Sequence, residues 1–245
     1  VGNVDGLMPS YAISLCFYLD SVNIVDDFDT VKIRANLQRM TSKKSNYHHG
    51  DLRRSLLQSA SLMLRETGIE GLSLRKLADH VGVSRTALYH HFQDKNELLC
   101  ALAEQGFHHW YQRTRQLVES TESDHREMFR RFFYHYIQDA TTTPETYELM
   151  FGRAIWKQAQ ATPTLKDIAY LCFQYQVEIT ARWQQLGLFP QEETTVRLAQ
   201  VIWSTMHGLA RLVIDGVYAD SQHIDDMCDC AIRMLLTPDT KASDK

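Results

Sequence analysis

Residues 73–95, SLRKLADHVGVSRTALYHHFQDK, constrain the fold of this chain more tightly than any other stretch. Ser73 is a favourable N-cap, and Leu74, Leu77, Ala78 and Val81 follow at the i, i+3, i+4, i+7 spacing of one helical face. Gly82 supplies the left-handed residue that ends such a helix. Ser84 can cap a second helix, in which Leu88 and Phe92 lie one turn apart and point the same way as Val83. Two short helices joined by a tight glycine-containing turn make a helix-turn-helix.

The outward face of the second helix carries Thr86 and His90 at its centre, Ala87 and Tyr89 at its flanks, and Arg85 reaching out from the first turn. These are hydrogen-bonding groups with one small apolar contact among them. The helix N-terminus adds unpaired N–H groups for a phosphate. A helix in a major groove needs this mixture: Arg and Thr for base edges, Tyr and His for backbone oxygens. Asp94 can cap a third helix, with Glu97 completing an Asp-x-x-Glu capping box. Lys95 then occupies the first helical position, where a cation opposes the macrodipole. A phosphate bound beside Tyr89 and His91 would remove that conflict; a solvated lysine is the alternative.

The whole-chain net charge of −4 does not announce a nucleic-acid binder. Its distribution is more informative. Residues 41–95 hold nine Lys/Arg against five Asp/Glu, and residues 116–245 hold twelve against eighteen. A basic head on an acidic body is expected where one part meets phosphate and the other does not. Five scattered cysteines (Cys16, Cys100, Cys172, Cys228, Cys230) contain no C-x-x-C, so neither a zinc site nor a disulfide framework is indicated. Thiols in a reducing cytoplasm are expected.

The run Gly68-Ile69-Glu70-Gly71-Leu72-Ser73-Leu74-Arg75-Lys76-Leu77-Ala78, then Val81-Gly82-Val83-Ser84, then Leu88-Tyr89-His90-His91-Phe92-Gln93-Asp94-Lys95, resembles the DNA-binding domain of the TetR family of transcriptional regulators. The likeness runs almost unbroken over residues 48–100, and Tyr47 to Arg53 resembles the opening of many members. The resemblance implies an all-α homodimer: a three-helix DNA-binding domain, then a larger helical domain that binds a small molecule and dimerises. It also implies that Arg75, Arg85, Thr86, Ala87, Tyr89, His91 and Lys95 match positions that commonly touch DNA. With Ser73, Ser84, His90 and the arm lysines Lys43 and Lys44, these form the candidate DNA-binding set.

Domain boundaries are drawn at 1–40, 41–95 and 96–240. The apolar stretch 11–19 is too short for a membrane helix, which needs about 20 residues, and it has no basic lead like that of a signal peptide. Met40 stands directly before a short basic arm. It is the expected native start, which would make residues 1–39 an upstream extension; a weakly ordered segment is the alternative. Lys43 and Lys44 can add sequence-independent phosphate attraction, or simply solubilise a tail.

A first helix is expected from about residue 50 to Thr67, with Leu52, Leu56, Leu57, Ala60, Met63 and Leu64 as its buried stripe. Further helices are expected over about 96–119, 124–140, 145–160, 164–186 and 192–216, with one more before Thr237. The 192–216 segment is apolar nearly all round, so it calls for cover from its own domain and from a twin. Dimerisation through the last two helices is expected. Trp203-Ser204-Thr205-Met206-His207-Gly208-Leu209 resembles a Trp/His-Gly signature in the C-terminal domain of one TetR subgroup, over about residues 125–235. Gly208 is expected to allow close helix approach. His207 is read either as a polar handle in a pocket or as a buried histidine satisfied by a neighbour. Phe107, Trp110, Phe151, Trp156, Trp203 and Met206 can line an apolar cavity with it, or serve as ordinary core. No catalytic triad order, phosphate loop or metal spacing is visible, so neither an enzyme nor a cofactor is indicated. The expected function is a ligand-responsive regulator, a repressor released from a pseudo-palindromic DNA operator by a small hydrophobic effector.

Overall fold

The computed structural model describes residues 49–120, 124–156, 160–218 and 220–238. Lys43, Lys44, Met40, Cys16 and the expected upstream extension lie outside the described residues. The fold is all-α. Among the described residues there are ten helices and no strand: α1 (His49–Gly71), α2 (Leu74–Val81), α3 (Arg85–Tyr89), α4 (Lys95–Val118), α5 (His125–Thr142), α6 (Pro144–Phe151), α7 (Arg153–Trp156), α8 (Pro163–Gln185), α9 (Thr195–Ile214) and α10 (Ser221–Leu235).

These helices form two compact units, whose boundaries fall within α4, after Phe107, and within α8, after Leu171. The first unit holds the described residues up to Phe107 together with Glu145–Leu171. Its centre is apolar: Leu56, Leu57, Ala60 and Leu64 from α1, Leu77 and Ala78 from α2, Leu88 and Phe92 from the α3 region, and Leu98, Leu102 and Ala103 from α4. Leu52, expected in that stripe, is only half-buried. Gly68 breaks α1 as its sequence suggests, at φ 68°, but helical bonding resumes as far as Gly71.

The expected 145–160 helix is broken at Gly152 into α6 and α7. The Trp156 indole N–H donates to the Met150 carbonyl at 2.6 Å in a buried hydrogen bond across the break. Opposite, Gly106 of α4 lies so close to α6 that a Cβ there would stand 2.5 Å from the Met150 sulfur. A polar seam runs along α4. Asn96 donates to the Gln160 carbonyl at 2.8 Å, the Cys100 thiol reaches the same oxygen at 3.6 Å, and Glu104 accepts from Thr162 at 3.2 Å and Thr164 at 2.6 Å. Residues 96, 100 and 104 are four apart, so they share one face.

The second unit holds His108–Pro144 and the chain from Cys172. Its core is aromatic. Phe129 meets Trp183 edge-on at 5.3 Å and Phe189 at 5.1 Å, and Phe132 packs on Trp183 at 5.2 Å. Such edge-to-face pairs add to what area burial alone provides. Ala199, Ile202, Met206 and Ala210 form the buried face of α9. Val201 and Leu212 on the same helix are exposed. Tyr134 of α5 donates to Asp229 at 3.0 Å, and Arg130 pairs with that carboxylate at 3.0 Å, joining α5 to α10. Thr237 then ties the chain down, its N–H to Leu188 O at 2.9 Å and its hydroxyl to Gly187 O at 2.6 Å.

Trp183→Ala is expected to destabilise the protein by about 3–5 kcal/mol, the usual range for losing a buried large aromatic side chain. Leu62→Ser, at an exposed position of α1, should change stability by less than about 0.5 kcal/mol. Denaturant unfolding midpoints at constant m-value check both.

Candidate nucleic-acid interface and effector site

The helix-turn-helix is set by two serine caps and one glycine. Ser73 Oγ accepts the Lys76 N–H at 3.2 Å, and Ser84 Oγ accepts the Ala87 N–H at 3.1 Å. Gly82 sits at φ 75°, ψ 32°, and its N–H returns to Ala78 O at 3.0 Å. That backbone is ordinary only for glycine. Both serines of the candidate DNA-binding set therefore have a local structural role.

Leu88 is fully buried and turns the opposite face of α3 outward. Arg85, Thr86, Tyr89 and His90 are exposed together there, Tyr89 at 53 %, while Ala87 and His91 are half-buried. The helix is shorter than its spacing suggests: it ends at Tyr89, and Phe92 lies beyond it. The Phe92 N–H still bonds Leu88 O at 3.0 Å, so the chain keeps a helical pitch long enough to bury the ring.

Asp94 caps α4 by accepting the Glu97 N–H at 2.8 Å. Glu97 reaches back to the Gln93 N–H at 2.7 Å, one residue earlier than a standard capping box. Lys95 is half-buried, and its ammonium donates to Ile69 O at 2.6 Å. A carbonyl near the end of α1 thus faces the cation that the sequence assigns to phosphate. Arg75 is exposed. Arg53 escaped the sequence reading: its guanidinium lies 5.2 Å from the centre of the Phe92 ring. No local pattern links residues 39 apart, so only the fold exposes this pair.

The expected effector-lining residues are divided between the two units. Phe107, Phe151 and Trp156 belong to the first unit, where Phe107 and Phe151 meet edge-on at 5.4 Å. Trp110, Trp203, Met206 and His207 belong to the second. There the Trp203 indole donates to Tyr136 Oη at 3.1 Å, and its ring lies 5.5 Å from that of His207. Met206 is fully buried. Burial, helped by Arg211, holds His207 neutral and lowers its pKa to about 4. Among the described residues, nothing comes within 4 Å of where a Cβ on Gly208 would stand, so no neighbouring helix in the chain requires that glycine. An open cleft of about 650 Å³ is lined by Arg126, Gly187, Leu188, Gln191 and Thr237 among others, and by none of the expected residues.

The middle of α8 is buried on nearly every side. From Leu171 to Thr180 every residue but Gln174 is buried, Gln176 among them. Residues 171–180, LCFQYQVEIT, mix apolar residues with Gln174, Gln176, Glu178 and Thr180, so the sequence does not mark this stretch as buried. Among the described residues no three His, Cys, Asp or Glu side chains converge as a metal site would require.

A family model described as "Bacterial regulatory proteins, tetR family" matches residues 56–102, and one described as "Tetracyclin repressor-like, C-terminal domain" matches residues 129–235. The chain belongs to the TetR family. The tetracycline repressor protein class A from transposon 1721 of Escherichia coli is 48 % identical over 50 residues, 20 % of this chain and 23 % of that protein. The transcriptional repressor KstR2 of Mycobacterium tuberculosis is 39 % identical over 70 residues, 28 % of this chain and 34 % of that one. These matches span only about a quarter to a third of the relatives' length. A solved protein of unknown function from Rhodococcus sp. RHA1 is similar over 79 % of this chain and 100 % of its own, at 34 % identity and a TM-score of 0.66. A TetR-family regulator from Pectobacterium atrosepticum shares the fold at 24 % identity and a TM-score of 0.63, over 80 % and 99 % of the two chains. No helix among the described residues is long and apolar enough to cross a membrane.

Ser84→Ala removes the cap of α3 and is expected to lower stability by about 1 kcal/mol, read from the denaturant midpoint. His207 gives a pH signature. Its folded pKa of about 4 lies below the ordinary 6.5, so between those values the unfolded chain binds the extra proton. Stability should therefore fall as pH drops below 6.5, by at most about 1.4 kcal/mol per pH unit. Thermal unfolding of His207→Asn across that window should show a shallower loss.

Proposed function

We propose that the protein is a ligand-responsive DNA-binding transcriptional regulator that acts as a repressor. One observation carries this reading: Arg85, Thr86, Tyr89 and His90 stand exposed in one row on a helix whose other side is anchored by Leu88. Residues 41–95 would meet DNA and residues 96–240 would bind the effector and dimerise. Arg85 and Thr86 would read base edges, with Ala87 as an apolar contact for a thymine methyl. Tyr89, His90, His91 and Arg75 would hold phosphates. The hydroxyl protons of Ser73 and Ser84 remain to donate while their oxygens cap, and Lys95 has two further N–H groups beyond the one on Ile69. Lys43 and Lys44 would add attraction from the arm.

As a homodimer joined through α9 and α10, the protein would set two recognition helices about 34–36 Å apart on a pseudo-palindromic operator. Exposed Val201, Leu212 and Met234 on those helices support this interface. A small hydrophobic effector in the C-terminal helices, near Trp203, Met206 and His207, would favour a spacing that no longer fits. By reciprocity, operator DNA would weaken effector binding by the same factor. Relatives named as repressors support the sign of regulation, and buried free thiols at Cys100, Cys172 and Cys228 suit a reducing cytoplasm.

Footprinting of the full chain on the DNA flanking its own gene, together with genomic fragment selection, tests the reading. A two-fold-symmetric protected site is expected. Arg85→Ala should weaken binding there by about 1–3 kcal/mol with relaxed base preference, and the double variant Tyr89→Ala/His90→Ala should abolish protection. No symmetric site in either assay, at salt that suppresses non-specific binding, would overturn it.

A further inference from the structure

Gln176 stands in the middle of α8, 3 % exposed, and among the described residues neither its Nε2 nor its Oε1 has a hydrogen-bond partner. A buried amide left unpaired loses its hydration and gains nothing in return. Gln184, two turns further along the same helix and 8 % exposed, provides an internal comparison. Its amide donates to Pro190 O and Glu193 O, both at 2.8 Å, and its oxygen accepts from Thr195 at 2.7 Å. This helix can satisfy a buried glutamine completely, and at position 176 it does not. A methionine would fill nearly the same volume without the unpaired groups.

We propose that Gln176 is the hydrogen-bonding residue of a small-molecule site in the second unit, and that its ligand is an apolar molecule carrying a neutral carboxamide or lactam group. This rests on the reading that the C-terminal helices bind an effector, and it names that effector's chemistry. A glutamine amide offers a donor and an acceptor side by side in one plane. Its complement accepts and donates along one edge, as an amide or lactam does. The turn of α8 that precedes Gln176 disfavours a charged group. Cys172, one turn earlier, has its thiol pKa raised by burial alone, with no charged neighbour contributing. Arg182, the cation nearest in sequence on α8, is paired with Glu178. A carboxylate arriving at Gln176 would lose its water and find the nearest cation of α8 already paired. Phe173, Val177 and Ile179, all buried, make the adjoining helix apolar.

The test uses the full chain and three probes that share one ring system: 2-naphthamide, 2-naphthoate and 2-methylnaphthalene. Affinities come from tryptophan fluorescence and thermal shift. The wild-type protein is expected to bind the amide at least tenfold tighter than either other probe, since a site built for hydrogen bonding rejects analogues that lack the groups. Gln176→Met should lose that preference while its unliganded Tm stays level or rises; Gln184→Met should lower Tm. The proposal is overturned if the wild type shows no amide preference, or if Gln176→Met retains it. It is equally overturned if Gln176→Met lowers Tm as Gln184→Met does, which would mark a structural glutamine held by a buried water. Footprinting of the same preparations separates the two readings. Operator protection without amide preference refutes the Gln176 site alone, whereas absence of protection in the wild type refutes the regulator.

Discussion

A helix of five residues has no stability of its own, because nucleation fixes several residues before propagation repays it. The recognition helix α3 is that short. It exists because Ser84 satisfies one end, Leu88 and Phe92 are driven into the core, and Gly82 lets the chain enter at the right angle. The base contacts assigned to α3 depend on this arrangement. The outward side chains keep their common direction only while the inward ones stay buried.

Much of this was legible from the chain alone. The caps at Ser73, Ser84 and Asp94 and the left-handed Gly82 are local features, written in residues a few positions apart. The core positions of α2 follow from helical spacing. What was not legible came from long-range packing. Lys95 donates to a carbonyl 26 positions away, Arg53 lies against Phe92, and Gly152 interrupts a segment whose apolar spacing reads as one helix. Periodicity reports which face is buried, not which neighbour covers it.

The effector side shows the same limit more sharply. The number of large aromatic residues suggests a pocket without saying which of them meet. The fold gives them different partners: Phe107 faces Phe151, Trp156 seals the end of α6, and Trp203 reaches Tyr136. A polar residue inside an apolar stretch is the rarer signal and carries more information, since its burial demands a reason. Gln184 supplies its reason within the chain; among the described residues Gln176 does not.

The polar seam on α4 bears on how such proteins can be recombined. Asn96, Cys100 and Glu104 find their partners at Gln160, Thr162 and Thr164, and Gly106 leaves room for Met150. The reading head thus borrows part of its own packing from a segment that arrives some fifty residues later. A chimera that grafts this head onto another member's body must carry residues 145–171 with it. A crossover placed just after α3 would instead join two halves of mismatched seams, and in homologues the seam's two sides should change in step.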